Sequence, residues 1–231
     1  MKIGVINFSG NVGKSTVARH LLAPRMNNAQ IIAVESINSD GTEEEAIRGK
    51  QFGELTEALS VLDDVVVDIG ASNVEDFVSR MKQYRGSHED FDYFVVPTVG
   101  KPKQLRDTIS TIEELAGLGV TAKKIRVVFN MVEFDEAPER LFSGLFEYHD
   151  EKRNFTLRPD AIIHVNEIYA KLRGSENSIA DILNDPTDLK EQLKAATTSE
   201  EKLRISRLIS LKRLATGVTE DLDAVFKTLL K

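Results

Sequence analysis

The N-terminal segment places a glycine-containing turn between an apolar strand and a helix. The turn ends in the motif Gly13-Lys14-Ser15-Thr16. Apolar residues lie on both sides of it, at strand spacing before the turn and at helical spacing after it. This order of elements predicts a phosphate-binding strand–P-loop–helix unit. The apolar residues are Ile3, Val5 and Ile6 before the turn, and Val17, Ala18, Leu21 and Leu22 after it.

The chemistry of the turn suits the phosphates of a nucleoside triphosphate. Backbone N–H groups of such a turn converge on phosphate oxygens, and the helix N-terminus adds a partial positive charge. The Lys14 ammonium would reach the β- and γ-phosphates, and the Ser15 hydroxyl would ligate Mg²⁺. The predicted nucleotide-binding residues of the loop are Ser9, Gly10, Asn11, Val12, Gly13, Lys14, Ser15 and Thr16.

Composition limits the domain count and the available chemistry. The 231 residues suffice for one substantial core and contain no obvious linker, so we expect a single domain over residues 1–231. Because the chain has no cysteine, it forms no disulfides and no cysteine-ligated iron–sulfur cluster. A net charge of −7 argues against a surface that binds nucleic acid all over, but allows a local basic patch.

The sequence has no apolar run long enough to span a bilayer, and Met1-Lys2 leads directly into the first strand. We therefore expect a cytoplasmic protein without an integral membrane segment.

Strand-like and helix-like segments alternate along most of the chain. Four further β-branched or aromatic runs predict strands buried on both faces, and the segments between them predict crossover helices. The pattern predicts a doubly wound α/β fold with a mostly parallel sheet over residues 1–184. From Asp185 onwards it predicts a helical extension, with a break at Gly217. The strand runs are 31–34, 65–67, 93–96 and 125–129, and the helical segments are 53–62, 74–85 and 102–116.

Ligands of parallel α/β sheets bind at the carboxyl ends of the strands, which makes polar residues there candidate site residues. Asp68 follows the run 65–67 and is predicted to hold Mg²⁺ directly or through water. Gly70 could present its amide to the γ-phosphate. Asp68 could instead cap a helix that begins near Asn73.

The loop 9–16 resembles the deviant P-loop K-G-G-V-G-K-S/T-T of the ParA/MinD family, with serine for the signature lysine and asparagine for one glycine. The resemblance covers about the first 170 residues and implies an ATPase that uses ATP or ADP and Mg²⁺. It also implies that Asn130, after the fifth strand, faces adenine, whose donor and acceptor a side-chain amide can satisfy. In the family the lysine contacts the nucleotide of the partner subunit. Ser9 removes that contact.

The second strand also departs from the family pattern. ParA/MinD proteins carry D-x-D there, and the second aspartate orients the attacking water. In direct register, Glu35 matches the first aspartate and Ile37 the second. Asp40 could substitute if its loop folds back, although Asn38-Ser39-Asp40-Gly41 is also an ordinary turn sequence. The predicted catalytic residues are thus Lys14, Asp68 and Asp40, and Glu35 is predicted to contact the nucleotide.

Residues 202–214, here called the basic segment, predict an amphipathic helix. Five cations interleave with leucine and isoleucine, and no acidic residue lies between Lys202 and Leu214. Such a helix could lie on anionic lipid, contact DNA phosphates or dock a partner. It could equally be a terminal helix with a packed apolar face and a solvated basic side. The cations are Lys202, Arg204, Arg207, Lys212 and Arg213.

The opening sequence, residues 2–16, most resembles the StbB plasmid-stability proteins, which are encoded beside a DNA-binding partner and act in plasmid maintenance and conjugative transfer. The resemblance implies an ATP-binding switch with slow hydrolysis that works with such an adaptor, as a monomer or a homodimer, in the cytoplasm or at the nucleoid or membrane. Two alternatives stay open. One is a small-molecule enzyme like dethiobiotin synthetase, with Lys14 and Asp68 in phosphoryl chemistry. The other is a nucleotide-binding scaffold without hydrolysis.

Overall fold

The structure is a computed structural model that describes residues 1–34, 43–175 and 177–231, with only the backbone described for residues 43–50. These residues form two compact units. The first comprises residues 1–165 and 225–231, and the second comprises residues 166–224. The predicted single domain over residues 1–231, with an extension from Asp185, stays a prediction.

A parallel sheet of six strands forms the centre of the first unit. The strands are β1 (Lys2–Val5), β2 (Gln30–Val34), β3 (Val65–Ile69), β4 (Tyr93–Thr98), β5 (Ile125–Val132) and β6 (Ile162–His164). Their order in the sheet is β2-β3-β1-β4-β5-β6, and each neighbouring pair is parallel. The predicted α/β fold is confirmed. β6 escapes the sequence pattern because it has only three residues and pairs with β5 alone.

The strands extend further than their apolar runs predict. Asp68 lies inside β3, paired with Val5 on one side and Ala33 on the other. Asn130 likewise does not end β5, because pairing with β6 carries that strand on to Val132. The sheet therefore brings Asp68 and the loop after β1 to the same carboxyl edge, where ligands of such sheets bind.

Helices connect the strands of the first unit. The helix after the P-loop begins as α1 (Lys14–Thr16) and continues as a π-helical segment (Val17–Leu22) and a 3-10 turn (Ala23–Arg25). The apolar residues of the segment Val17–Leu22 are fully buried, as their spacing predicts. The π-helical form, with i→i+5 hydrogen bonds, was not predicted. Such segments are frequent at functional sites. The other helices are α2 (Glu43–Val61), α3 (Val74–Gln83), α4 (Pro102–Gly117), α5 (Pro138–Leu141) and α6 (Ser143–Lys152).

The second unit is helical and begins earlier than Asp185. It contains α7 (Glu167–Lys171), α8 (Ile179–Asn184), α9 (Leu189–Ala195) and most of α10 (Ser199–Leu229). The break predicted at Gly217 is wrong, because α10 passes through this residue without interruption. Glycine costs only about 1 kcal/mol in a helix interior, and the buried neighbours Ala215 and Val218 offset that cost.

Every helix in the described part of the chain is too short or too polar to span a bilayer.

Candidate phosphate-binding site

The P-loop, residues 9–16, turns through two left-handed backbone conformations. Asn11 has a φ of 57° and Gly13 a φ of 85°. Asparagine tolerates this region better than most residues, whereas glycine adopts it without cost. At Gly13 there is also no room for a side chain, because an added Cβ would lie 2.1 Å from Asn130 Nδ2. The loop therefore needs glycine at position 13 for two independent reasons.

The Lys14 side chain folds back into the P-loop. Its Nζ donates hydrogen bonds to the carbonyl oxygens of Asn7 at 3.1 Å and Ser9 at 2.8 Å, and the residue is only 8% exposed. Burial lowers the pKa of Lys14, and the charge of Asp68 opposes this shift in part. The two hydrogen bonds engage two of the three N–H donors of the ammonium. The loop thus holds a cation at the point where phosphates are predicted.

The predicted Mg²⁺ ligands, Ser15 and Asp68, lie on α1 and β3. Ser15 is exposed, and Asp68 is half-buried beside the P-loop strand. Among the described residues, no group of three or more His, Cys, Asp or Glu is arranged to hold a metal. Proteins usually bind Mg²⁺ through one or two carboxylates together with substrate phosphates and water, and the Mg²⁺ roles of Ser15 and Asp68 stay predictions.

The Gly70 amide already has a partner in the structure. It donates to the Val34 carbonyl oxygen at 3.1 Å, and Asn73 Nδ2 donates to the same oxygen at 2.9 Å. The predicted contact between this amide and a γ-phosphate would require that bond to open. A 3-10 turn (Ala71–Asn73) and α3 follow β3, and their N-cap positions are Gly70 and Asn73. Both the Mg²⁺ role and the capping role of Asp68 stay predictions.

The Asn130 side-chain amide bonds to the protein itself, and its predicted contact with the adenine edge stays a prediction. Its Nδ2 donates to the Val12 carbonyl oxygen at 2.8 Å, and its Oδ1 accepts from the Met131 amide at 3.0 Å. The residue is 3% exposed. Because both ends of the side-chain amide are engaged, this arrangement makes Asn130 a brace beneath the P-loop.

A buried asparagine that the sequence pattern does not reveal supports the segment just before the P-loop. Asn7 is fully buried and donates from Nδ2 to the Pro97 carbonyl oxygen and to Thr108 Oγ1, both at 2.9 Å. Its Oδ1 accepts from the Ser9 amide at 2.7 Å. Buried polar side chains are costly unless hydrogen-bonded, so this satisfied network fixes the start of the loop.

Helix α4 holds the first residues of the P-loop from the side. Ser9 Oγ donates to Asp107 Oδ2 at 2.8 Å, and the Phe8 amide donates to Thr111 Oγ1 at 3.1 Å. The hydrogen bond from Ser9 is the main cause that lowers the pKa of Asp107. Polar residues at positions 107, 108 and 111 on the otherwise apolar face of a helix are the sequence signal for this support.

Glu35, Ile37 and Asp40 lie outside the described residues, so their predicted roles stay predictions.

The basic segment lies in α10, within the second unit. Lys202, Arg204, Arg207 and Arg213 are exposed, and so are Leu203 and Leu208 at 54% and 39%. Lys212 is partly engaged, because its Nζ donates to the Asp185 carbonyl oxygen at 2.7 Å. Exposed cations and exposed leucines thus alternate along this part of α10, and Ile205 packs inward at 3% exposure.

Comparison with solved structures identifies the fold. The alignment with the MinD cell division protein of Aquifex aeolicus covers 93% of this chain and 97% of MinD, with a TM-score of 0.52 and 12% sequence identity. A second match is a structure from Borrelia burgdorferi B31 that is described as a plasmid partition protein bound to AMPPNP. The alignment covers 91% of this chain and 97% of that protein, with a TM-score of 0.48 and 14% sequence identity. Apo McdA of Cyanothece matches 96% and 98% with a TM-score of 0.48 and 12% identity.

No protein-family model and no curated protein matches the chain. Of the three structures, MinD alone exceeds a TM-score of 0.5, and at 12% identity the likeness shows a shared fold. The protein is therefore an α/β protein with the fold of MinD and a P-loop sequence after its first strand.

Proposed function

We propose that the protein is a Mg²⁺-dependent ATP-binding switch of the ParA/MinD type that hydrolyses ATP slowly. The observation that carries this proposal is the position of Lys14, which the P-loop holds between two backbone carbonyls within the field of Asp68. An anionic phosphate chain would give this desolvated ammonium a stronger partner than the two neutral carbonyls. ATP binding would then draw Lys14 out of the loop and onto the β- and γ-phosphates.

Ser15 and Asp68 are the residues that would hold Mg²⁺. The ion would bridge phosphate oxygens and neutralise their charge. Asp68 is paired with Val5, the last residue of β1, so its carboxylate lies at the edge from which the P-loop starts. In this position Asp68 would orient the ion relative to the phosphates, directly or through water.

Slow hydrolysis follows from Ser9. A lysine at this position could extend to a nucleotide in a second subunit, but the Ser9 hydroxyl is buried and bonded to Asp107 of its own chain. The nucleotide would therefore lack a cation that stabilises the charge of the transferring phosphoryl group, a type of contact worth several powers of ten in rate. ATP could still bind while its turnover stays low.

The StbB resemblance of residues 2–16 suggests the biological setting. We propose a role in plasmid stability, partition or conjugative transfer together with a plasmid-encoded DNA-binding adaptor. The basic segment of α10 supports weak contact with DNA or an anionic membrane, because cations and leucines are exposed together there. A cytoplasmic protein, monomeric or homodimeric and recruited to nucleoid or membrane, fits these features.

The experiment that tests the proposal measures ATP affinity calorimetrically, with Mg²⁺ and with EDTA. Lys14→Ala should weaken ATP binding at least about tenfold, or about 1.4 kcal/mol. Lys123→Ala, an exposed lysine far along the chain, is the matched control and should leave the affinity unchanged. Unchanged ATP affinity in a folded Lys14→Ala protein would overturn the P-loop assignment.

Turnover separates the switch from the two alternatives. We expect a basal rate below about 1 s⁻¹, the lower end of the usual enzyme range, that rises when the protein encoded by the neighbouring gene is added. Rapid ADP release that depends on a small-molecule substrate would instead identify a ligase-like enzyme. ATP binding without turnover under either condition would identify a scaffold.

A further inference from the structure

Three exposed apolar residues lie at or just beyond the carboxyl ends of β5 and β6. Met131 is 50% exposed, Phe134 71% and Val165 43%. The Phe134 ring stacks on the imidazole of His164, with ring centroids 4.2 Å apart and planes 18° from parallel. Met131, Phe134, His164 and Val165 are here called the aromatic patch. An exposed phenyl ring supported on one face by a second ring leaves its other face for a planar ligand.

A hydrogen bond to Val132 holds the His164 ring of this stack in place. His164 Nδ1 lies 3.1 Å from the Val132 carbonyl oxygen, which also accepts from the Val165 amide at 3.0 Å. Because a carbonyl oxygen can only accept, Nδ1 donates the hydrogen of this bond. The imidazole is thereby held in one orientation beneath Phe134.

A β-bulge directs the patch outwards. The pairing between β5 and β6 shifts between Asn130 and Val132, and Met131 between them has a φ of 57°. A methionine rarely adopts this left-handed conformation, and bulges and strained residues of this kind are over-represented next to active sites. The bulge separates an exposed Met131 from a buried Asn130.

One hydrogen bond links the residue next to the patch with the P-loop. Asn130, which directly precedes Met131, donates to the Val12 carbonyl oxygen of the loop at 2.8 Å. The patch and the P-loop therefore share the carboxyl edge of the sheet, joined by one side chain. A nucleotide with its phosphates in the loop carries its base only a few bonds away.

The size of the patch favours a nucleobase over a protein partner. A stable protein interface buries about 800 Å² on each side and involves about 20 residues or more. The four residues of the aromatic patch are too few for such an interface. One exposed aromatic face is the size of a single base, and every base has a π-face that can stack on it. Asn130 Nδ2 and Oδ1 each make one hydrogen bond to the protein, and the Phe134 ring would offer the base a stacking contact in addition.

We propose that Phe134, supported by His164, is the platform on which the base of the P-loop-bound nucleotide stacks. The inference rests on the proposed nucleotide site and adds the residue that distinguishes a nucleotide from bare polyphosphate. Since stacking tolerates different bases, we expect Phe134 to raise the affinity for nucleotides in general.

The test compares ATP with inorganic tripolyphosphate, which has the phosphates but no base. Both are titrated with Mg²⁺ into wild type, Phe134→Ala and Phe134→Tyr. Phe134→Ala should weaken ATP binding about tenfold and change tripolyphosphate binding less than about twofold, because only ATP loses a stacking partner. Phe134→Tyr keeps a ring and should keep the ATP affinity. Val61→Ala, a truncation of an 83% exposed side chain at the end of α2, should affect neither ligand.

Each other result overturns the platform in a recognisable way. Equal weakening of both ligands by Phe134→Ala would mean that the ring shapes the P-loop. Unchanged ATP affinity would remove Phe134 from the nucleotide site while leaving the P-loop proposal intact, and loss of self-association with unchanged ATP affinity would make the patch a protein contact. A wild type that binds neither ligand would overturn both this inference and the proposed function.

Discussion

Asn130 donates a hydrogen bond from Nδ2 to the Val12 carbonyl oxygen at 2.8 Å across 118 residues of sequence. The same nitrogen lies 2.1 Å from the position that a Cβ on Gly13 would occupy. The brace and the glycine therefore depend on each other. A side chain at Gly13 would displace Asn130, and displacement of Asn130 would release the Val12 carbonyl.

Gly13→Ala should destabilise the protein by about 2–4 kcal/mol, because it combines a left-handed φ with a steric clash in a packed site. Urea denaturation measures the change. Gly10→Ala is a matched control in the same loop, since a Cβ there meets nothing within 4 Å. It should shift stability by less than about 0.5 kcal/mol, and equal losses in the two variants would show that the clash is unimportant.

Ser9→Ala should reduce stability in a pH-dependent way. The Ser9 hydrogen bond holds the pKa of Asp107 below its ordinary value, so the carboxylate stabilises the fold above about pH 4 and loses that contribution as the pH falls through its lowered pKa. The free energies of unfolding of wild type and Ser9→Ala should thus differ by about 1 kcal/mol at neutral pH and converge as the pH falls below about 4.

Ser206→Ala, at an exposed serine in α10, is the control for this comparison. Its unfolding free energy should follow that of wild type at every pH. A difference between wild type and Ser9→Ala that stays constant until the protein is fully acid-unfolded would contradict the role assigned to Asp107. An NMR titration of the Asp107 carboxyl should show its pKa rising in Ser9→Ala.

Neutralising the basic segment should abolish binding to anionic surfaces without affecting ATP affinity. Phosphate contacts of this kind weaken steeply with salt, so DNA and anionic vesicles should both be tried at low ionic strength. The variant replaces Arg204, Arg207, Lys212 and Arg213 by glutamine.

A control variant with four exposed cations of the first unit replaced by glutamine carries the same change in net charge. It should retain the binding, because the effect depends on the surface of α10 and not on total charge. Absence of binding by wild type, or binding that salt does not weaken, would leave α10 as a packed helix with a solvated basic side. The control replaces Lys123, Arg140, Lys152 and Arg158.

Gly217→Ala should stabilise the protein by about 0.5–1 kcal/mol. Gly217 is exposed within α10, a Cβ there meets nothing within 4 Å, and alanine is the better helix former. Gly86→Ala provides the contrast, because its site is equally open but its φ is +89°. That variant should lose about 1 kcal/mol, and a higher melting temperature for Gly86→Ala than for Gly217→Ala would contradict both assignments.

The sequence alone determined the parallel α/β fold. Short β-branched runs and amphipathic segments have local preferences for strand and helix. Burial on both faces of the sheet reinforces the strand preference, as in the run 65–67. It also identified the P-loop motif, since Gly13 and Lys14 are adjacent in the chain and their spacing is itself the signal. Neither the three-residue strand β6 nor the continuity of α10 through Gly217 could be predicted, because pairing and packing outweighed weak local signals.

Only the tertiary structure decided what surrounds the P-loop. Asn130 was recognisable as a polar residue near a strand end, but its contact with Val12 depends on strand order and on the bulge that carries β5 past it. The Ser9–Asp107 bond likewise joins residues 98 positions apart. Such hydrogen bonds require two distant side chains to meet in one geometry, and no local pattern specifies this. The sequence therefore predicted where a phosphate would bind, and the packing of the chain determined which residues hold that loop in shape.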